Sequence, residues 1–285
     1  MKIDVDALFD KYLDDFIENN LDKYSPSQIE KMVEQIYEEF CNKPNLVLLG
    51  LSPKQYFKQM STKELLKEFM EASEIGLSPC ELLCGELETR KDAEDDLLKV
   101  VEKGNEEIAT CAINILGEMN SKKALTSFIE LIIGKKASID LVEVMIEAMV
   151  KNANEIKEEL LLIYDNKNPM HLLFLEVFAS MSKDDRVYQI LFDEYLTRKE
   201  NRAEIYAYLA KYGDDRILGF LYSEVENNTL TPIELEEIKL AIEKLGGEFE
   251  DLKVLATKIG FEHFEIGPLV RSSYNASSAW RKCNK

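Results

Sequence analysis

The chain has 285 residues, with 35 Lys and Arg against 54 Asp and Glu, a formal net charge of −19, and 46% hydrophobic residues. That apolar content suffices for a sizeable core, and the length allows about two domains or one elongated array. A body this acidic repels phosphate, which argues against broad nucleic-acid binding and against an anionic membrane surface.

The opening segment, MKIDVDALFDKYLDDF, is acidic from position 4 and has no long apolar run, so neither a secretory signal nor an anchor is expected in it. No stretch approaches the ~18 uninterrupted apolar residues of a membrane span. The expectation is a soluble, cytoplasmic chain. The cysteines Cys41, Cys80, Cys84, Cys111 and Cys283 are odd in number and scattered, which predicts reduced thiols rather than a disulfide framework. Breakers are few (12 Gly, 7 Pro), and apolar residues recur with a 3.6-residue period throughout. An all-α fold follows.

Residues 1–91 predict helices over about 4–20, 26–41, 53–59, 62–74 and 79–90. Ser25-Pro26, Ser52-Pro53, Ser78-Pro79 and, far downstream, Thr231-Pro232 read as helix starts: the hydroxyl caps free N–H groups, and proline at the first helical position has none to lose. The first forty residues hold eleven acidic and four basic side chains. The segment reads as a helical cap, with an acidic docking surface as the alternative.

From residue 92 a register repeats. Ala93, Ala124, Ile156, Val187 and Ile217 are 31, 32, 31 and 30 residues apart. Four residues beyond each stand Leu97, Phe128, Leu160, Leu191 and Leu221; five beyond, Leu98, Ile129, Leu161, Phe192 and Tyr222; eight beyond, Val101, Ile132, Tyr164, Tyr195 and Val225. Those offsets make one helical stripe, specified five times. A second amphipathic segment alternates with them, at about 105–119, 139–152, 169–181, 201–212 and 232–245. Helix, polar turn and helix repeated at this period predict a solenoid of stacked hairpins over 92–247, because a lone hairpin cannot bury its stripe.

The turns MSKDDRVYQIL and YGDDRILGFL, Asp-Asp-Arg followed by an apolar helix, resemble the short bacterial HEAT-like repeats named after phycobilisome lyases. The resemblance covers about 92–245 and implies a right-handed α-solenoid with an N-terminal helical cap. It also implies that the second helix of each hairpin, near 93–102, 124–133, 156–165, 187–196 and 217–227, lines the concave side.

Residues 248–285 read as a C-terminal extension. Its last eighteen residues carry Arg271, Arg281, Lys282 and Lys285 and no acid, with Trp280 among them. Such a tail either folds back on the acidic body or reaches an acidic partner. The end of the chain also resembles a decayed SEC-C zinc motif. It keeps Cys283 but has Ser272, Tyr274 and Asn284 at the other three ligand positions, so the likeness implies no metal.

Chemistry is sparse. His171 and His263 are far apart, without a metal motif or a local catalytic triad. His171 reads as a packed or partly exposed side chain. Cys80 and Cys84 share a helical face without a second ligand pair and read as buried thiols. IGKKAS (133–138) lacks the flanking residues of a phosphate loop. The segment from Asp165 to Glu176 has Lys167, Pro169 and Met170 where a calcium loop needs two ligands and a glycine.

The reading is therefore a non-enzymatic protein–protein interaction scaffold without a cofactor or metal. Its contact positions, two and six residues past the anchors, include Thr126, Glu130, Glu158, Gln189, Asp193 and Ser223. Three are acidic and none basic, which favours a basic peptide or protein partner; the alternative is a merely solvated face. Arg271, Trp280, Arg281 and Lys282 are the tail's candidates. A HEAT-repeat DNA glycosylase would need a basic concave surface that this chain does not offer. A chromophore-lyase subunit has only the family name behind it.

Overall fold

A computed structural model describes residues 3–74, 78–227 and 230–248. The tail residues Arg271, Trp280, Arg281 and Lys282, together with His263 and Cys283, lie outside the described residues. Within them the chain forms fifteen α-helices and no strand, an all-α fold.

Contacts divide the chain into two compact units, Met1–Asn152 and Ala153–Lys285, a division that falls inside the segment read as one array. The first unit contains α1 (Val5–Asn20), α2 (Pro26–Asn42), α3 (Pro53–Gln59), α4 (Thr62–Glu74), α5 (Glu81–Glu88), α6 (Glu94–Lys103), α7 (Glu106–Glu118), α8 (Lys122–Ile133) and α9 (Ile139–Lys151). The second contains α10 (Lys157–Ile163), α11 (Leu175–Ala179), α12 (Asp185–Thr197), α13 (Arg202–Tyr212), α14 (Leu218–Asn227) and α15 (Pro232–Lys244).

Three of the four hydroxyl–proline pairs open helices. The Ser52 hydroxyl accepts from the Gln55 N–H at 3.3 Å while the Gln55 side chain accepts from the Ser52 N–H at 3.0 Å. Thr231 and Glu234 repeat the arrangement, and the Gln28 side chain accepts from the Ser25 N–H. These are capping boxes, which satisfy donors that a helix start leaves open. Ser78-Pro79 differs: α5 begins at Glu81 after Cys80, and the Ser78 hydroxyl donates instead to Glu107 at 2.9 Å. The helix expected over 169–181 is also broken, into a 3-10 turn at His171–Phe174 and the short α11. Proline 169 and the Asn168 side chain, which accepts from the Met170 N–H, favour a turn at its start.

The repeated stripe is buried. All five anchors and all five residues four beyond them are 0% exposed, and Val101, Ile132, Tyr195 and Val225 are buried as well. Among the residues five beyond, Ile129 is buried while Leu98, Leu161, Phe192 and Tyr222 are half-buried, so that position marks the stripe's edge.

Close packing from one hairpin to the next runs through the alternate helices, α5 to α7 to α9 in the first unit and α11 to α13 to α15 in the second. At Gly117 of α7 an added Cβ would stand 3.1 Å from the Ala148 Cβ of α9, so glycine sets this approach. The helices carrying the anchors pack on the alternate helices, as α6 does on α7 and α12 on α11 and α13, more than on one another.

Candidate functional site

Neighbouring anchor helices are tied at their N-terminal ends by polar bridges. In the first unit Lys123, one residue before its anchor, pairs with Asp95, two residues past the previous one, and the Ser121 hydroxyl donates to Glu94. In the second unit Arg186, in the same place, donates two parallel bonds to the Glu158 carboxylate at 2.8 and 2.7 Å. Arg216 reaches Asp185 at 2.8 Å.

Both arginines also lock their own turns. The Asp184 side chain accepts from the Arg186 backbone N–H at 2.9 Å and from its guanidinium at 3.0 and 2.8 Å, and Asp214 binds Arg216 in the same way. Before the second of these turns Gly213 sits at φ 76, the left-handed conformation that glycine adopts without a Cβ clash. The guanidinium contacts hold the Asp184, Asp214 and Glu158 carboxyls below their ordinary range. The Asp-Asp-Arg sequence is thus a capping and bridging device, with Arg supplying the planar fork that Lys lacks.

The six predicted contact residues fall on four helices. Thr126 and Glu130 lie on α8, Glu158 on α10, Gln189 and Asp193 on α12, and Ser223 on α14. Glu130, Glu158, Gln189, Asp193 and Ser223 are exposed, and Thr126 is half-buried with its hydroxyl donating to the Lys122 carbonyl. Glu158 is occupied by Arg186, and the Gln189 amide donates to Asp193 at 2.6 Å. In both units these helices belong to the layer whose members pack less closely on one another. Leu162 of α10, six past its anchor, is 86% exposed; it fills a contact slot that the polar pattern passed over.

Asp193 has a second feature. It borders a cleft of about 780 Å³ in the second unit, formed where the 164–166 loop and the 171–172 turn face α12 and the residues following it. Asp165, Asp193, Glu194 and Glu200 line the cleft, against Arg198 and Lys199. His171 is fixed at its wall: Nδ1 lies 2.8 Å from the Asn168 carbonyl and Nε2 lies 3.4 Å from Glu194. With Nδ1 donating to that carbonyl, Nε2 faces Glu194. Arg198 lies 3.7 Å from Glu194 and donates to Glu204 at 2.8 Å, so Glu194 is compensated within the unit. Asp193 is not neutralised by its bond from an uncharged amide. Burial pushes the Tyr164 hydroxyl up to about 12, and the Thr197 hydroxyl is committed to the Asp193 carbonyl. The lining therefore offers carboxylates, two cationic side chains and an oriented imidazole.

A polar core also lies in this unit, unforeseen from the sequence. Glu224 of α14, buried at 7% exposure, pairs with Arg202 of α13. The Tyr195 hydroxyl stands 3.1 Å from Glu224, and the guanidinium lies 5.6 Å from the Tyr195 and Tyr206 ring centres. The sequence signal was an acid falling beside the buried stripe. Its partner is 22 residues earlier, where periodicity gives no hint.

Among the described residues no group of three or more His, Cys, Asp or Glu is arranged to hold a metal ion. Burial pushes the Cys80 and Cys84 thiols up to about 12, so neither offers a thiolate at neutral pH. No described helix is long and apolar enough to cross a membrane. The fold and these surfaces define an all-helical protein with an acid-lined cleft. No family model matches the chain, and neither the curated proteins nor the solved structures include a significant match.

Proposed function

We propose that this chain is a non-enzymatic, cytoplasmic interaction scaffold that holds a basic peptide or protein segment on the surface of its anchor helices. In this reading the hairpins of each unit are HEAT-like repeats stacked as a right-handed solenoid. The carrying observation is the cleft beside α12, where Asp193 joins Asp165 and Glu200 around a volume that admits a cationic side chain together with part of the segment bearing it. A Lys or Arg entering there meets more carboxylate than cation, with Leu172 and Ile190 in the lining for its aliphatic stem. The buried anchors and the alternate-helix packing support the stacked-hairpin architecture. Recognition rests on the side chains of the cleft, because the fold alone implies no partner.

The test is selection of peptides from a displayed random library on the full chain. Selected sequences are expected to be rich in Lys and Arg, to bind more weakly as salt rises, and to lose affinity for the Asp165→Lys/Asp193→Lys double variant. Selection of acidic or wholly apolar peptides, or unchanged affinity for the double variant, contradicts the reading.

A further inference from the structure

The turn between α2 and α3 presents its apolar side chains outward. Leu46 and Leu49 are 94% and 92% exposed and Val47 is 49% exposed, while Leu48 between them is completely buried and anchors the turn. The backbone is closed on itself. The Asn45 N–H donates to the Leu51 carbonyl and the Gly50 N–H to the Asn45 carbonyl, each at 2.9 Å, and the Asn45 side chain accepts from the Val47 N–H at 2.9 Å. Leu49 is held at φ 57, a left-handed conformation that a residue with a Cβ seldom adopts. A turn fixed in this way keeps two leucines in water rather than letting them fold onto the body. Residues 40–63 around it contain Lys43, Lys54, Lys58 and Lys63 and no acid, in a chain whose net charge is −19.

The same unit carries a surface of complementary character. A recess of about 460 Å³ has Val5, Phe57, Ala72 and Leu83 in its walls and Asp4, Asp6, Asp10 and Glu68 among its lining residues. Burial first, and then the neighbouring Asp4 and Asp10 charges, raise the Asp6 carboxyl above its ordinary value. These crowded carboxylates gain from an incoming cation.

The geometry points to head-to-tail self-association, in which the Leu46–Leu49 turn of one copy enters the Asp6–Glu68 recess of a second copy. The leucines meet the apolar walls, and the flanking lysines meet the carboxylates. A second copy is favoured over a lipid surface because three apolar side chains on a strongly acidic body make a weak membrane anchor. As a head-to-tail contact of two different patches it builds a ring or a filament according to the rotation between copies, whereas a reciprocal exchange of the same patches would close a two-fold dimer. This inference is independent of the reading of the cleft in the second unit.

Sedimentation velocity of the full chain over a wide concentration range tests it. The wild type is expected to associate as concentration rises, and Leu46→Asp/Leu49→Asp to weaken association on the order of a hundredfold. Asp6→Lys/Glu68→Lys should do the same from the other side, with circular dichroism showing both variants folded. Mixing the two variants is the decisive arm. One keeps the recess and the other the turn, so they should form a complex that stops at one to one. A monomeric wild type at all concentrations, association untouched by Leu46→Asp/Leu49→Asp, or folded variants that do not combine would overturn the proposal. Flotation of the monomeric wild type with phosphatidylcholine–phosphatidylserine vesicles, lost in the leucine variant, would reassign the turn to a lipid surface and equally overturn it.

Discussion

The two compact units solve one packing problem with different polar chemistry. In the first, anchor helices are joined by lysine, as in the Lys123–Asp95 pair, and no polar pair matches the buried one of the other unit among the described residues. In the second, arginine does three things at once: Arg186 completes its own turn with Asp184 and reaches back to Glu158, and Arg216 binds Asp214 and Asp185 while lying 4.0 Å from the Tyr188 ring centre. A shared apolar stripe fixes where helices go, whereas the polar residues at their ends decide how far each turn is locked and how it responds to pH.

The largest expected effects separate an apolar core from a polar one. Phe128→Ala in the first unit should cost about 3–5 kcal/mol by leaving a cavity. Glu224→Ala in the second should cost about as much for another reason, the stranding of Arg202 beside Tyr195 and Tyr206. Urea denaturation distinguishes them through the partner change: Arg202→Met/Glu224→Leu should recover most of the loss, because a buried pair replaced whole by apolar groups is often neutral. If the double variant remains as unstable as Glu224→Ala, the ion pair is not the cause.

A smaller difference concerns the turns. Asp214→Ala removes a cap and should lower stability by about 1 kcal/mol. Arg186→Lys should lower Tm because Lys cannot serve Asp184 and Glu158 together, while Lys123→Arg in the first unit should leave Tm unchanged or raise it. Equal responses in the two units would remove the contrast.

Acid should sharpen it. Asp184, Asp214 and Glu158 have lowered folded values, so their contribution is complete above the unfolded values, 3.8 for Asp and 4.5 for Glu, and is lost as pH falls through the folded ones. Asp6 and Glu88 of the first unit are raised, mainly by burial, so their contribution has the opposite sign: present below those unfolded values and lost as pH rises through the folded ones. Amide hydrogen exchange at falling pH should show opening near Asp184 and Asp214 before opening around Asp6 and Glu88. The reverse order would contradict the assignment. The mildest expectation is that Cys80 and Cys84 react with iodoacetamide only slowly until the first unit unfolds, since burial holds both thiols near 12.

Much of the fold was legible because helix burial follows a period. Residues at the anchors and four beyond them are all sealed from water, as the stripe requires. Legibility ended where local chemistry competes. Ser78 looked like a cap but bonds to Glu107, 29 residues away. The 169–181 segment had the apolar content of a helix, yet Asn168 and Pro169 start it as a turn. The candidate site was half legible. Exposure at Glu130 and Asp193 followed from the register, but the Arg186 fork on Glu158 joins residues 28 apart. The cleft likewise assembles loop residues 164–166 with α12, a proximity that no periodicity encodes.

In the proposed function the acid-lined cleft beside α12 receives a cationic side chain. Its most direct test is an NMR titration of the isotopically labelled full chain with a selected Lys- or Arg-containing peptide and with the same peptide carrying norleucine at the cationic position. Saturable shifts concentrated at Asp165, Asp193 and Glu200 are expected for the cationic peptide and none for the neutral one. Shifts centred elsewhere, or identical for both peptides, would contradict it.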